Sequence, residues 1–173
     1  MSKARGLADL GNVYSDGALS NRNMVINGAM QVAQRGTSVT GVTTNGYRAS
    51  DRFYMGVGTL GTHTVSQDAD GPDGFSNSHK VEVTTADASP AAGDYMTIEY
   101  RLEGQDLQRI KKGTAAAEAV TVSFWVKSNK TGTYILDFGD ISNNRHINAT
   151  YTVDVSGTWE HKTITFAGDT SGS

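Results

Sequence analysis

A two-residue rhythm of apolar and polar side chains limits this sequence more than any other feature. It is clearest in Val120-Thr121-Val122-Ser123-Phe124-Trp125-Val126-Lys127, where Val120, Val122, Phe124 and Val126 alternate with Thr121, Ser123, Trp125 and Lys127. Successive side chains of a β-strand point to opposite faces, so this spacing predicts a strand with one face built for a core. The rhythm returns at Val81 and Val83, set between Lys80 and Glu82, and at Met96, Ile98, Tyr100 and Leu102, set between Thr97, Glu99 and Arg101. It continues in Tyr134, Leu136 and Phe138 after the turn Asn129-Lys130-Thr131-Gly132, and in Ile147, Ala149, Tyr151, Val153 and Val155. Beyond Ser156-Gly157 comes Trp159, then Ile164 and Phe166 as the inward residues of a last strand. Short one-faced strands divided by turns predict an all-β, antiparallel, jelly-roll-like β-sandwich rather than a parallel α/β sheet. The 20 glycines against 2 prolines suit such turns. One short helix is expected at Gln105 to Lys112, where Leu107 and Ile110 lie three apart and Gly113 stands as a stop; it would cover one end of the sandwich.

At 173 residues the chain is long enough for one domain with a proper core, plus a tail. Residues 1–22 hold several turn formers and few large apolar side chains, so they cannot build a core alone. Two readings stand for them: a disordered leader, or an extended docking arm anchored by Leu7, Leu10, Val13, Tyr14 and Leu19. Residues 23–173 are expected to form the sandwich. The opening residues carry no apolar run of signal-peptide or membrane-spanning length, so a soluble start without membrane insertion is expected. With 15 basic against 18 acidic side chains and a formal charge of -3, nothing favours a nucleic-acid partner. The absence of cysteine excludes disulfides, thiolate metal sites and a cysteine nucleophile.

No phosphate loop, Gly-x-Ser-x-Gly elbow, paired helical histidines or dinucleotide fingerprint is present, and no cofactor is expected. His63, His79, His146 and His161 are scattered without ligand spacing and read as surface or strand residues. Asp68, Asp70 and Asp73 offer hard oxygens on one loop, as Ca²⁺ requires. An EF-hand loop starting at Asp68 would need Glu where His79 stands, and Asp-Gly pairs equally serve tight turns, so a solvated turn is preferred and no metal is expected. A glycosidase would need two carboxylates about 5–10 Å apart. Glu99, Glu103, Asp137 and Asp140 could supply them, yet each is equally explained as a solvent-facing strand or turn residue, and no enzyme activity is expected. Glycan binding instead needs an aromatic platform with polar neighbours. Trp125 qualifies because it sits opposite the core residues of its strand; Tyr54, Tyr95 and Trp159 are further candidates. For Trp125 two readings remain open, a sugar platform and a ring packed under a loop or neighbouring subunit.

Asn21-Arg22-Asn23-Met24-Val25-Ile26-Asn27-Gly28-Ala29-Met30-Gln31-Val32-Ala33-Gln34-Arg35-Gly36-Thr37 resembles the opening of tail-fibre-like structural proteins of marine bacteriophages. Tyr47-Arg48-Ala49-Ser50-Asp51-Arg52-Phe53 resembles their next motif, and the stretches Ile98 to Leu107, Val122 to Ser128 and Thr158 to Phe166 are similar in turn. The same order of elements is similar to carbohydrate-binding modules appended to polysaccharide hydrolases. The resemblance implies a virion structural protein in which residues 1–22 attach to other tail proteins (adaptor, tube or nozzle), and a sugar-binding-like jelly roll serves assembly or host-surface glycan recognition. It also implies a homo-oligomer, with a trimer favoured. The alternative is a non-catalytic module of a secreted polysaccharide-degrading enzyme. In the proteins it resembles, further strands follow the Trp159 strand, whereas this sequence ends at Gly168-Asp169-Thr170-Ser171-Gly172-Ser173. Two expectations follow: a fragment of a longer fibre, or an open edge completed by neighbouring subunits.

Overall fold

The computed structural model describes Lys3 and residues 23–171; the arm residues Leu7, Leu10, Val13, Tyr14 and Leu19 lie outside the described residues. The fold is all-β and sandwich-like, with antiparallel sheets and a single 3-10 turn among the described residues. The chain divides into two compact units, Met1–Leu102 and Glu103–Ser173.

The first unit holds β1 (Ser38–Val42), β2 (Gly46–Tyr47), β3 (Phe53–Gly58), β4 (Thr62–Asp68), β5 (Ser78–Thr85) and β6 (Tyr95–Tyr100). They form two three-stranded sheets, ordered β1-β4-β5 and β2-β3-β6. Val42 and Val65 from the first sheet meet Met55 and Val57 from the second, with Ala49 beside them and Val39 and Val81 packed around. Both sheets therefore bury one face in a shared core, the arrangement that alternating strands require. Met96 and Ile98 stand opposite Val57 and Met55 in register, on the core face as the alternation predicts. They nevertheless remain exposed, at 36% and 50%, because β6 is the edge strand of its sheet.

The stretch leading into β1 is fixed to this unit by polar side chains. Asn27 adopts the left-handed conformation, with φ 61°, that asparagine tolerates better than most residues. Its side chain accepts from the Val32 N–H at 2.9 Å and donates to the carbonyls of Val32 and Asp51 at 2.9 and 3.0 Å. The Tyr100 hydroxyl accepts from the Ile26 N–H at 2.8 Å, and Gln67 donates to the Met30 carbonyl at 2.6 Å.

The second unit holds a 3-10 helix (Asp106–Ile110), β7 (Val120–Val126), β8 (Gly132–Asp140), β9 (Arg145–Val153) and β10 (Glu160–Phe166). β7 pairs with β10 and β8 with β9, giving two sheets of two strands. Their inner faces meet through aromatic rings: Phe124 packs edge-on against Tyr151 with centroids 5.0 Å apart, and Phe138 stacks on Phe166 at 5.7 Å. Val120, Val153 and Phe166 are buried. In β7 the inward residues Val120, Val122, Phe124 and Val126 are buried or half-buried, while Thr121, Ser123 and Trp125 are exposed, as their spacing predicts.

The predicted helix forms as a shorter 3-10 turn. Leu107 and Ile110 lie one 3-10 repeat apart, and a run this short cannot offset the cost of nucleating an α-helix. It ends at Lys111, which takes the left-handed conformation with φ 50°. Lys112 then joins an ion-pair cluster, 2.6 Å from Asp140 and 3.4 Å from Asp169, while Arg145 grips Asp169 at 3.1 and 2.5 Å. Lys112 and the Asn143 side chain hold the Asp140 carboxyl far below its ordinary range. Burial pushes the Asp169 carboxyl up, but the Ser171 N–H, Arg145 and Lys112 outweigh it and leave the group below the usual value.

Candidate glycan-binding faces

The outward face of β7 and β10 is built by antiparallel register. Trp125 stands opposite His161, Ser123 opposite Thr163 and Thr121 opposite Thr165. Residues directly opposite in such a pair project to the same side, so these six share one surface. Trp125 is 41% exposed, and its ring lies 5.1 Å from that of His161 at an interplanar angle of 53°. Trp159, just before β10, continues the outward alternation and lies under the Lys127 ammonium, 5.6 Å from its ring centre. The Thr121 and Thr165 hydroxyls are 2.9 Å apart. The surface thus combines two indoles, an imidazole, an ammonium and four hydroxyls on one ribbon.

A second aromatic surface covers the outward face of β2, β3 and β6. Tyr54 stands opposite Glu99, Gly56 opposite Thr97 and Gly58 opposite Tyr95. Tyr47 packs edge-on against Tyr54 at 5.2 Å, and the Arg101 guanidinium lies 3.6 Å from the Tyr54 ring centre. Arg101 also donates to Glu99 at 2.9 and 3.1 Å, and Thr97 donates to the same carboxylate at 2.8 Å. The Tyr95 ring lies across Gly58: a Cβ there would stand 2.5 and 2.7 Å from two of its ring carbons. Glycine in a strand commonly marks such a close approach, and here it lets the ring lie against the sheet while remaining 46% exposed.

The four expected glycan residues therefore fall into two pairs, Tyr54 with Tyr95 on the first unit and Trp125 with Trp159 on the second. Lys127 and His161 gain their places beside the indoles from the pairing of β7 with β10, which no local pattern announces. The alternation of Gly56 and Gly58 with Met55 and Val57 was a legible sign that β3 exposes an unusual outer surface.

The other candidate groups are engaged elsewhere. Asp68 accepts from the Asp70 N–H at 2.9 Å and lies 3.3 Å from the Lys80 ammonium, and these contacts, the backbone N–H first, hold its carboxyl below the usual value. Asp73 is exposed. Among the described residues no three or more His, Asp or Glu side chains are placed to hold a metal ion. Of the carboxylates weighed for hydrolysis, Glu99 is bound by Arg101 and Thr97, Glu103 accepts from Gln105 at 2.9 Å, Asp137 contacts His146 at 2.8 Å and Asp140 binds Lys112. His63 is buried, with Nδ1 3.4 Å from the Val42 carbonyl. His79 packs against Phe53 with ring centroids 5.8 Å apart, and its two buried ring nitrogens meet no hydrogen-bond partner among the described residues. Comparison of the chain with protein-family models, curated proteins and solved structures finds no match.

Proposed function

We propose that this chain is a non-catalytic structural protein of a bacteriophage virion, a tail fibre or similar appendage. Residues 1–22 attach it to other tail proteins, and its β-sandwich serves assembly and recognition of host-surface glycan. The motifs at Asn21 to Thr37 and Tyr47 to Phe53 motivate the phage assignment through their resemblance to tail-fibre-like proteins. The observation that carries glycan recognition is Trp125, a large apolar ring left 41% exposed on the outer face of a strand whose other side is packed. An indole presented on the outer face of a sheet, with the Ser123 and Thr163 hydroxyls on the same surface, offers the platform against which the apolar face of a pyranose stacks. Assembly draws support from the topology: among the described residues each sheet of the second unit has two strands, so all four strands present an edge able to pair with another chain. A homotrimer is the favoured assembly.

A glycan array with the wild-type chain and Trp125→Ala tests recognition; binding that survives the substitution removes Trp125 from the site. Mass spectrometry of purified virions tests the assignment to an appendage. Absence of the chain from particles, together with a monomer in solution, would refute the virion reading. The aromatic outer face also fits a non-catalytic module of a secreted polysaccharide-degrading enzyme, which predicts glycan binding by a protein that virions lack.

A further inference from the structure

β3 places two glycines, Gly56 and Gly58, on the outer face of its sheet, opposite Thr97 and Tyr95 of β6. The space above both is filled from β6. A Cβ on Gly58 would stand 2.5 and 2.7 Å from two carbons of the Tyr95 ring, and one on Gly56 would stand 3.3 Å from another and 2.9 Å from a Glu99 carboxylate oxygen. The ring therefore bridges the two glycines and is still 46% exposed. Tyr54 is not open in this way, because the Arg101 guanidinium covers its ring at 3.6 Å; among the described residues no cation lies over Tyr95.

Beside the open ring, hydrogen bonds run from Thr97 and from Arg101 to Glu99. Thr97 takes one carboxylate oxygen and Arg101 the other, which leaves Glu99 a lone pair to accept a ligand hydroxyl and Arg101 further N–H groups to donate to one. Charge on this face is balanced. Arg101 is paired with Glu99 at 2.9 Å, and Arg35, 5.7 Å from the Tyr47 ring centre, is paired with Asp51 at 3.2 Å. A ligand charge of either sign gains from one member of each pair and loses to the other, whereas an uncharged hydroxyl can use both.

We propose that this face is a second glycan site, independent of Trp125, that takes a neutral sugar, and the proposal rests on the glycan-binding reading above. The Tyr95 ring takes the apolar face of a hexopyranose, and the Glu99–Arg101 fork binds the hydroxyls at its rim. Gly56 and Gly58 act by position, letting the ring lie down on the sheet.

A single exposed tyrosine binds too weakly for an array, so the readout is the amide NMR spectrum of the isotope-labelled full chain, titrated with a neutral galactan oligosaccharide or an oligogalacturonate of equal length. The galactan shifts the amides of Gly56, Gly58 and Tyr95 to Arg101 in wild type and equally in Trp125→Ala, and the oligogalacturonate shifts them less. Tyr95→Ala weakens galactan binding here by roughly three- to ten-fold, the worth of one stacking contact, and Tyr95→Phe by less than about two-fold. Gly58→Ala keeps the tyrosine but lifts its ring, so it lowers affinity as Tyr95→Ala does while the spectrum away from this face stays unchanged. Glu99→Gln leaves Arg101 without its counter-charge, so the oligogalacturonate gains affinity as the galactan loses it. Equal affinity for the two probes, unmoved by Glu99→Gln, overturns the neutral class. Shifts around Trp125 with none here, or wild-type affinity in Tyr95→Ala, overturn the second site while glycan recognition stands. Silence at both faces overturns the site, and an empty glycan array alongside it removes recognition as well.

Discussion

Phe166→Ala isolates the energetics of the second unit. Phe166 is 3% exposed, stands opposite Val120 in β10 and β7, and stacks on Phe138 of the other sheet. Truncation removes the ring and leaves a cavity between two layers that cannot close without moving strands, a change that costs about 3–5 kcal/mol. A unit the length of Glu103–Ser173 has a total stability of roughly 4–10 kcal/mol, so the loss is a large share of the whole. Urea denaturation followed by tryptophan emission is the direct assay, because both tryptophans, Trp125 and Trp159, belong to this unit. With a slope of about 1 kcal/mol per M, the midpoint falls by about 3–5 M or the folded baseline disappears. Ile135→Ala is the matched control. Ile135 is equally apolar but lies 68% exposed on the outer side of β8, so its truncation costs less than about 1 kcal/mol. If Ile135→Ala costs as much as Phe166→Ala, the assignment of inner and outer faces is wrong.

Acid should weaken the cluster of Lys112, Arg145, Asp140 and Asp169, because its carboxyls titrate below their ordinary range in the folded state. Their contribution is complete above about pH 4 and is lost as pH falls through the folded-state values, so melting temperature drops more steeply below pH 4 in wild type than in Asp140→Asn. His79 acts over a different window. Burial lowers it from 6.5 to about 4, so the unfolded chain takes up its proton first, and stability is lost as pH falls from about 6.5 to about 4. NMR titration should place the His79 midpoint near 4, and His79→Phe should flatten the stability profile in that window. Asn27→Ala removes three hydrogen bonds and puts a less tolerant residue at φ 61°. A loss of about 2–3 kcal/mol by denaturant titration is expected, and a change under about 0.5 kcal/mol would show that the loop holds without it.

Alternation alone was enough to identify β5 to β10 and, in β7, to assign each side chain to its face, whereas β1 to β4 were not singled out from the sequence. The reason is local: the pleat sends neighbouring residues to opposite sides whatever the strand later pairs with. Partner choice was not legible in the same way. β7 joins β10 across two intervening strands, and β3 joins β6 across β4 and β5. Such pairings are set by which apolar faces fit together, so His161 beside Trp125 and Lys127 over Trp159 emerge only once the sheet exists. Burial shows the same division. Met96 and Ile98 have the spacing of core residues and lie on the core face, yet they stay exposed because nothing in a strand's own pattern reveals that it will be an edge. The sequence by itself thus determined an all-β chain with one-faced strands and an outward Trp125. Tertiary structure alone decided the two compact units, the aromatic core of the second and the shared outer face of β7 and β10, because each depends on contacts between residues far apart in the chain.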